Sequence, residues 1–389
     1  MMKILFVVSK SVEVNTSASI RNSAVMSGLM ELGHSVTLVS TMPDKKSEYY
    51  DDSLLPEGTK VIYLDNGSSQ KIVDWLKRNT LLKPLKRVVS KHKSATEIYD
   101  SQKWIINHIS EVNFDDYDCI ISSSDPKSSH LFVYEGMIKS AERFGERKKK
   151  WIQIWGDPFL GDVSIANIQG RDEIYNEEKK LVAVADLVYY VSTATLEAQK
   201  KNYPESADKM KHIPIPYLRK RIFKLRDLQT AKSIELCYCG DYPSSYRDIR
   251  PLYDAVNSMD GTHLTICGTS DVKLNETDKV TIMPRQEHRK IEEIEEKADI
   301  LVHLSNSSGT QIPGKIYQYS GTNKPILFIL DGEKEKTCSM FEKYNRFVFT
   351  ENCVESIKNS IREIRSRANK WVPVNDFDKK RIANLLDLG

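Results

Sequence analysis

Short, uninterrupted runs of apolar residues recur along the first half of the chain. Residues 4–8 form the first run and residues 36–39 the second. Between them, apolar positions from Ala24 to Leu32 follow helical spacing, which ends at Gly33. Further runs of the first kind are 61–64, 119–121, 151–154 and 187–191. Uninterrupted short strands alternating with helices are typical of a parallel sheet covered by helices on both faces.

The alternation pauses at residues 212–216, where Pro214 and Pro216 resist regular structure, and a basic stretch follows. A second series then begins, with apolar runs at 234–239, 264–267, 280–282, 300–304 and 326–330. Helical patterns at 353–368 and 377–387 close the chain. We therefore predict two Rossmann-like parallel-sheet α/β lobes that face each other across a cleft. Their expected limits are 1–216 and 217–369, with a helix in 370–389 packing back on the first lobe.

Length and composition agree with this organisation. A chain of 389 residues fits about two domains of ordinary size, and 40% hydrophobic with 29% charged residues indicates a globular protein. The net charge of +3 does not indicate a nucleic-acid binder. No apolar run approaches the ~20 residues of a membrane-spanning helix, and residues 1–8 are better explained as a buried strand than as a signal peptide. The six cysteines lack metal-type spacing. We expect them to be ordinary core thiols in a reducing cytoplasm.

The spacing of the glycines restricts the classes of nucleotide that the chain is expected to bind. No two glycines are separated by a single residue, so the G-x-G-x-x-G fingerprint of dinucleotide sites is absent. Residues 309–316 nearly match the triphosphate loop, but Ile316 stands where the Mg²⁺-binding hydroxyl belongs, and Pro313 lacks a backbone donor. Free backbone N–H groups and Lys315 would still suit a diphosphate. The alternative is a helix start capped by Ser307 or Ser308, with Lys315 solvated.

Several segments occur in an order that resembles a known family. They are Ser19–Arg21, Leu29–Val36, Ala185–Ser192, Ile213–Pro216, Cys239–Asp241 and, as the most specific, Pro313–Leu327. In this order they resemble the GT-B glycosyltransferases over nearly the whole chain, and particularly the family 4 group that builds bacterial surface polysaccharides. The resemblance implies that the second lobe binds a nucleotide-diphosphate sugar.

The resemblance also implies a donor site. Arg247 matches the basic residue that contacts the donor diphosphate, after the glycine turn at Gly240. The family usually has two glutamates, the later one accepting hydrogen bonds from the ribose; this chain has Thr310 and Gln318 there. An amide offers only one acceptor oxygen, so a ribose would be held more weakly or with altered geometry. The expected donor-binding residues are Gly240, Arg247, Gly268, Pro284, Arg285, Ser308, Gly309, Thr310, Gln311, Ile312, Lys315 and Gln318.

Catalysis would need donors at the leaving diphosphate and a group for the acceptor proton. Arg247, Lys315 and the amides of 309–312 would meet the first need. Family members often carry a histidine, or an Arg-Asp pair, after the strand that corresponds to 151–154. Asp157 stands at the place of that Asp, and Gly156 replaces the Arg. Asp157 would orient the acceptor or act as a base, or else cap the turn before Pro158. Further acceptor-side candidates are Arg21, with an ion pair inside its own lobe as the alternative, and Asp125, with helix capping as the alternative. We expect no protein-held metal.

Residues 71–93 carry eight Lys or Arg against one Asp, a local charge of +7, interleaved with apolar side chains. Such a segment either lies on an anionic membrane surface, which would suit a lipid-linked acceptor, or is a solvated helix packed on the first lobe. We expect a cytoplasmic protein, which would lie at the inner face of the membrane if this segment binds lipid. Nucleic acid is not an expected partner.

Three functions remain open. The first is a glycosyltransferase that moves a sugar from a nucleotide diphosphate to a hydroxyl of a glycan or lipid-linked acceptor. The second is a GT-B-like accessory protein that has lost catalysis and binds a nucleotide sugar, a glycan or a partner enzyme. The third is a sugar-nucleotide epimerase, which should not need an acceptor surface.

Overall fold

The structure, a computed structural model, describes residues 1–65, 98–144, 149–160, 170–308, 312–367 and 370–389. The chain divides into two compact units. The first comprises Met1–Pro214 with Ala383–Gly389, and the second comprises Ile215–Ile382. The basic segment 71–93 lies outside the described residues. Among the residues that are described, every helix is too short or too polar to cross a bilayer.

The first unit is built on a parallel sheet. Its strands are β1 Lys3–Val7, β2 Ser35–Thr41, β3 Lys60–Leu64, β4 Cys119–Ser123, β5 Lys150–Trp155, β6 Leu187–Tyr190 and β7 Met210–His212. In the described part of the unit these seven strands pair in the order β3-β2-β1-β4-β5-β6-β7. The strand order reverses beside β1, so the loops after β1 and β4 diverge and leave a crevice at the carboxyl edge of the sheet.

Helices follow the strands of the first unit. They are α1 Ser17–Glu31, α2 Ser128–Phe144, α3 Arg171–Val184 and α4 Thr193–Asn202. The side chain of Thr16 caps α1 by accepting a hydrogen bond from the backbone N–H of Ser19. Shortly after the helix ends, Gly33 adopts a φ of 86°, a left-handed conformation that glycine takes without strain. The predicted end of this helix at Gly33 is therefore confirmed.

The second unit repeats the architecture. Its strands are β8 Ile234–Cys239, β9 Thr262–Cys267, β10 Val280–Met283, β11 Ile300–Leu304, β12 Ile326–Leu330 and β13 Val348–Glu351. Within the described residues they form a six-stranded parallel sheet in the order β10-β9-β8-β11-β12-β13. The order reverses beside β8, as it does beside β1 in the first unit. The crevice at this reversal lies between the loops after β8 and β11.

The helices of the second unit are α5 Arg250–Asn257, α6 His288–Lys297, α7 Lys315–Ser320, α8 Lys334–Phe341 and α9 Val354–Ser366, and the last helix of the chain is α10 Lys379–Leu385. Residues before α10 pack within the second unit, where the backbone N–H of Tyr217 donates to the carbonyl of Phe377 at 3.0 Å. The end of α10 belongs to the first unit, where the hydroxyl of Tyr189 donates to the carbonyl of Leu385 at 3.1 Å.

Burial on both faces explains the uninterrupted apolar runs. Every residue of β11 and β12 is buried, so neither face of these strands contacts solvent. Apolar and polar residues therefore do not alternate along them as they do in a half-exposed strand. The predicted α/β class with two parallel sheets is confirmed. The pattern did not predict β7 or β13. Met210–His212 is short and two of its three residues are exposed, whereas Val348–Glu351 alternates buried with more exposed positions.

Candidate functional site

Two glycines bring neighbouring loops together at the carboxyl edge of the second sheet. The backbone N–H of Gly240, after β8, donates to the carbonyl of Cys267 at 2.9 Å. A Cβ added to Gly268, after β9, would lie 2.0 Å from the carbonyl oxygen of Gly240. The two loops therefore approach more closely than side chains at Gly268 would allow. The missing side chain at Gly268 therefore permits the backbone contact between these two loops.

Arg247 lies at the same edge and is held in one orientation. Its Nε donates to Oδ1 of Asn306 at 2.9 Å, and its Nη1 donates to the carbonyl of Asp241 at 2.5 Å. The guanidinium also lies over the ring of Tyr246, at 5.3 Å from the centroid. The cation thus joins the loop after β8 to the loop after β11, across the crevice at the reversal of strand order.

Arg285 contacts the side chain of Asp241, the residue whose backbone carbonyl accepts from Arg247. Its Nη1 lies 3.4 Å from Oδ2 of Asp241, whose other oxygen accepts from the backbone N–H of Thr269 at 2.9 Å. Both Pro284 and Arg285 are exposed, in the loop after β10. The donor-side residues expected on the loops after β8, β9 and β10 therefore lie near one another.

Lys315 belongs to a cluster of three charges around a buried carboxylate. Its Nζ lies 2.7 Å from Oε1 of Glu295 on α6, and the other oxygen of Glu295 pairs with Arg221. Glu295 is 1% exposed. Burial opposes its ionisation, but the charges of Lys315 and Arg221 outweigh burial and lower its pKa. Burial likewise opposes the charge of Lys315, yet Glu295 leaves the pKa of that amine raised. Two cations and one anion give the cluster a net charge of +1.

Gln318, at the position where the family resemblance expects a ribose-binding glutamate, is engaged by the backbone. Its Oε1 accepts from the N–H of Leu218 at 2.8 Å, and its Nε2 donates to the carbonyl of Pro216 at 3.1 Å. The amide thus meets one backbone acceptor and one backbone donor. A carboxylate has no hydrogen to donate and would serve only the second of these groups.

Gly321 and Asn323, close to Gln318 in the chain, contact the same segment, residues 216–223. Asn323 repeats the amide arrangement, accepting from the N–H of Phe223 at 2.8 Å and donating to its carbonyl at 2.9 Å. Between them, a Cβ on Gly321 would lie 2.7 Å from the ring of Tyr217. The sequence pattern gave no signal for this role, because the partner segment lies about a hundred residues earlier in the chain.

The loop before α7 is only partly described. Gly309, Thr310 and Gln311 lie outside the described residues. Ser308 is exposed, and Ile312 is half-buried against the core of the second unit. The backbone N–H of the neighbouring Ser307 donates to the carbonyl of Tyr246 at 2.8 Å. This bond holds the start of the loop beside the Arg247 segment.

The acceptor-side candidates meet at the carboxyl edge of the first sheet. Arg21 is 6% exposed, and its Nη2 donates to the carbonyl of Ser124. Burial lowers the pKa of Arg21, and the charges of Asp125 and Asp157 oppose that shift. Oδ1 of Asp125 pairs with Nζ of Lys127 at 2.7 Å. The structure therefore brings Arg21, Asp125 and Asp157 together inside one unit.

A buried glutamate that the sequence analysis did not identify holds the loop after Asp157. Glu178, on α3, is fully buried and accepts from the backbone N–H groups of Phe159 and Leu160, both at 2.8 Å. The hydroxyl of Tyr203 donates to it at 2.9 Å. Burial raises the pKa of Glu178 to about 7, against the opposing effect of these donors. Its place within a helical pattern gave no signal of this contact.

Solved structures of similar fold span both units. Anabaena HepE, in complex with UDP and glucose, has a TM-score of 0.57 at 12% identity, covering 99% of this chain and 95% of its own. An α-glucosyltransferase in complex with UDP and a DNA 13-mer that contains an HMU base has a TM-score of 0.57 at 11% identity, covering 100% and 95%. TarM has a TM-score of 0.57 at 9% identity, covering 99% and 94%.

These similarities assign the fold. Two all-parallel α/β domains matched over nearly the full length of glycosyltransferase structures define the GT-B fold. No family model matches the chain, and no curated protein matches its sequence. Identities of 9–12% establish architecture rather than substrate.

Removing the charge of Glu295 should destabilise the second unit. In Glu295→Gln the cations of Lys315 and Arg221 lose their shared counter-charge while the side-chain volume is kept. We expect a loss of about 3–5 kcal/mol in the free energy of unfolding, measured by urea denaturation. Glu293→Gln, on the exposed face of the same helix, is the matched control and should leave the midpoint unchanged. Equal midpoints for the two variants would contradict the proposed cluster.

Converting Gln318 to glutamate should also destabilise the protein. The carboxylate in Gln318→Glu would leave the carbonyl of Pro216 without its donor, at a cost of about 1–3 kcal/mol in urea denaturation. Gln229→Glu is the matched control, because that amide also donates to a backbone carbonyl but is exposed. The assignment fails if Gln318→Glu is as stable as Gln229→Glu.

Proposed function

We propose that the chain is a glycosyltransferase that moves a sugar from a nucleotide-diphosphate donor to a hydroxyl of a glycan or lipid-linked acceptor. The observation that carries the proposal is the pair of cationic groups on a GT-B second unit: Arg247 at its carboxyl edge, and the Lys315 cluster with net charge +1. Two proteins of the same fold were solved with UDP, which makes UDP the first ligand to test.

The proposed chemistry follows from these charges. Negative charge grows on the leaving diphosphate during transfer, and cations that are already oriented stabilise it without reorganisation. Arg247 is oriented by Asn306 and the backbone of Asp241, and Lys315 by Glu295. In this proposal Asp157 orients the acceptor hydroxyl or takes its proton. Residues 71–93 would contact the membrane surface if the acceptor is lipid-linked.

One observation favours a second candidate function, an accessory protein without catalysis. The amide of Gln318 is already bonded to the backbone of residues 216 and 218. Ribose hydroxyls would then depend on other groups, and nucleotide binding would be weaker than a glutamate at this position provides. A protein that binds a nucleotide sugar, a glycan or a partner enzyme without turnover would fit the same site.

Nucleotide binding is the first test of the proposed function. A ligand that binds only the native state raises the unfolding temperature, because at a hundred times its Kd it adds about 2.7 kcal/mol to the free energy of unfolding. We expect UDP, or another nucleoside diphosphate from a panel, to produce such a shift.

Lys315→Met should weaken the binding of that nucleotide at least tenfold in calorimetry, whereas Lys290→Met, on the exposed surface of α6, should not. The absence of a shift with any nucleotide or nucleotide sugar at millimolar concentration would overturn the donor site.

Turnover separates the enzyme from the accessory protein. With a matching nucleotide sugar and acceptor, a transferase releases free nucleotide, measured by a coupled assay. Asp157→Asn should lower kcat by about a hundredfold or more, because general-base catalysis contributes roughly that much, while nucleotide affinity stays unchanged. Binding without turnover across the acceptor panel would support the accessory function instead.

A further inference from the structure

Arg21 is buried among the loops of the first unit. It is the fifth residue of α1, is 6% exposed, and donates through Nη2 to the carbonyl of Ser124 in the loop after β4. The hydroxyl of Ser124 in turn accepts from the backbone N–H of Gly156 at 3.1 Å. Gly156 begins the loop after β5. One arginine from α1 therefore connects to the loops after two neighbouring strands, directly and through Ser124.

The guanidinium of Arg21 occupies the space beside Gly156. A Cβ at position 156 would lie 2.3 Å from Nη1 of Arg21, and 3.2 Å from both Cζ and Nη2. Gly156 is not among the residues with positive φ, so its backbone conformation does not require glycine. The missing side chain serves the close approach of Arg21, because any Cβ would displace the guanidinium.

Two carboxylates of the first unit act on the charge of Arg21. Asp125 and Asp157 favour its charged form, against burial, and Lys127 pairs with Asp125 at 2.7 Å. His130 on α2 faces the same cluster. Its ring stacks on Trp155 at 4.1 Å, and burial, with the charges of Lys127 and Arg21, keeps its pKa well below the usual value. His130 is therefore held in its neutral form, and among the described residues the charges that act on Arg21 are those of Asp125 and Asp157.

We propose that Arg21 is a positioning residue for Asp157: its guanidinium fills the space left by Gly156, holds the Gly156–Asp157 turn in place and supplies a positive charge near Asp157. The first two parts concern the fold alone. The functional part rests on the proposed function, in which Asp157 acts on the acceptor hydroxyl. An arginine that is 6% exposed serves this role better than direct contact with a substrate.

A double-mutant cycle tests the contact without any assay of activity. Gly156→Ala should lower the urea midpoint in the wild-type background, because its methyl group meets the guanidinium. In the Arg21→Ala background the same change should cost little, because the space is empty. The matched control pairs Gly156→Ala with Arg171→Ala, an exposed arginine at the start of α3, for which the losses should add. Additive losses for Arg21 and Gly156 would overturn the proposal; if Arg21→Ala does not fold, Arg21→Met replaces it in the cycle.

The pH dependence of turnover tests the effect on Asp157. Arg21→Met keeps most of the side-chain volume and removes the charge, so the acidic limb of the kcat profile should move upward by about one pH unit or more. Nucleotide affinity should not change, and Arg21→Lys should restore part of the shift. An acidic limb that stays in place would reduce Arg21 to a purely structural role and overturn the functional part. If no donor supports turnover in the wild-type chain, the proposed function fails, whereas the unfolding cycle still decides the contact.

Discussion

Parallel pairing of the strands is the constraint on which the rest of the structure depends. Because all strands of a parallel sheet point the same way, every loop that follows a strand lies at one edge. In the second unit this edge collects Arg247, Gly268 and Arg285 from loops that are distant in sequence. In the first unit it collects Arg21, Asp125 and Asp157. Strand direction therefore places the candidate residues of each unit at one edge of its sheet. Because helices cover both faces of the sheets, polar groups collect at these edges.

Buried carboxylates then fix what the sheets bring together. Glu295 orients Lys315 and Arg221 in the second unit, and Glu178 holds the loop after Asp157 in the first. Each is desolvated, so each needs partners that favour its ionised form. Lys315, a proposed donor-side group, is one partner of Glu295, whereas the partners of Glu178 are backbone N–H groups and the hydroxyl of Tyr203. Their environments differ. Two cations lower the pKa of Glu295, whereas Glu178 has neutral donors and a raised pKa.

The amide of Gln318 shows how a change of one atom redirects a side chain. A glutamate at this position could accept only from the N–H of Leu218, whereas the amide also donates to the carbonyl of Pro216. Asn323 makes the same pair of bonds five residues later, with Phe223. The segment Pro313–Leu327 therefore serves two purposes, with Lys315 directed to the charge cluster and the amides directed to the extended chain at residues 216–223.

The apolar pattern by itself determined the α/β class, two parallel sheets and most of their strands, because a strand buried on both faces is mostly apolar, and this composition is a local property of the sequence. It missed the short β7 and the alternating β13, whose burial is incomplete. Motifs placed Arg247 in a loop after a strand and Lys315 at the start of a helix. Only the tertiary structure decided that Glu295 pairs with Lys315, that Gln318 is occupied by Pro216 and Leu218, and that Gly156 makes room for Arg21. These partners lie 20 to 135 residues apart, and no local pattern encodes a contact whose other half is elsewhere in the chain.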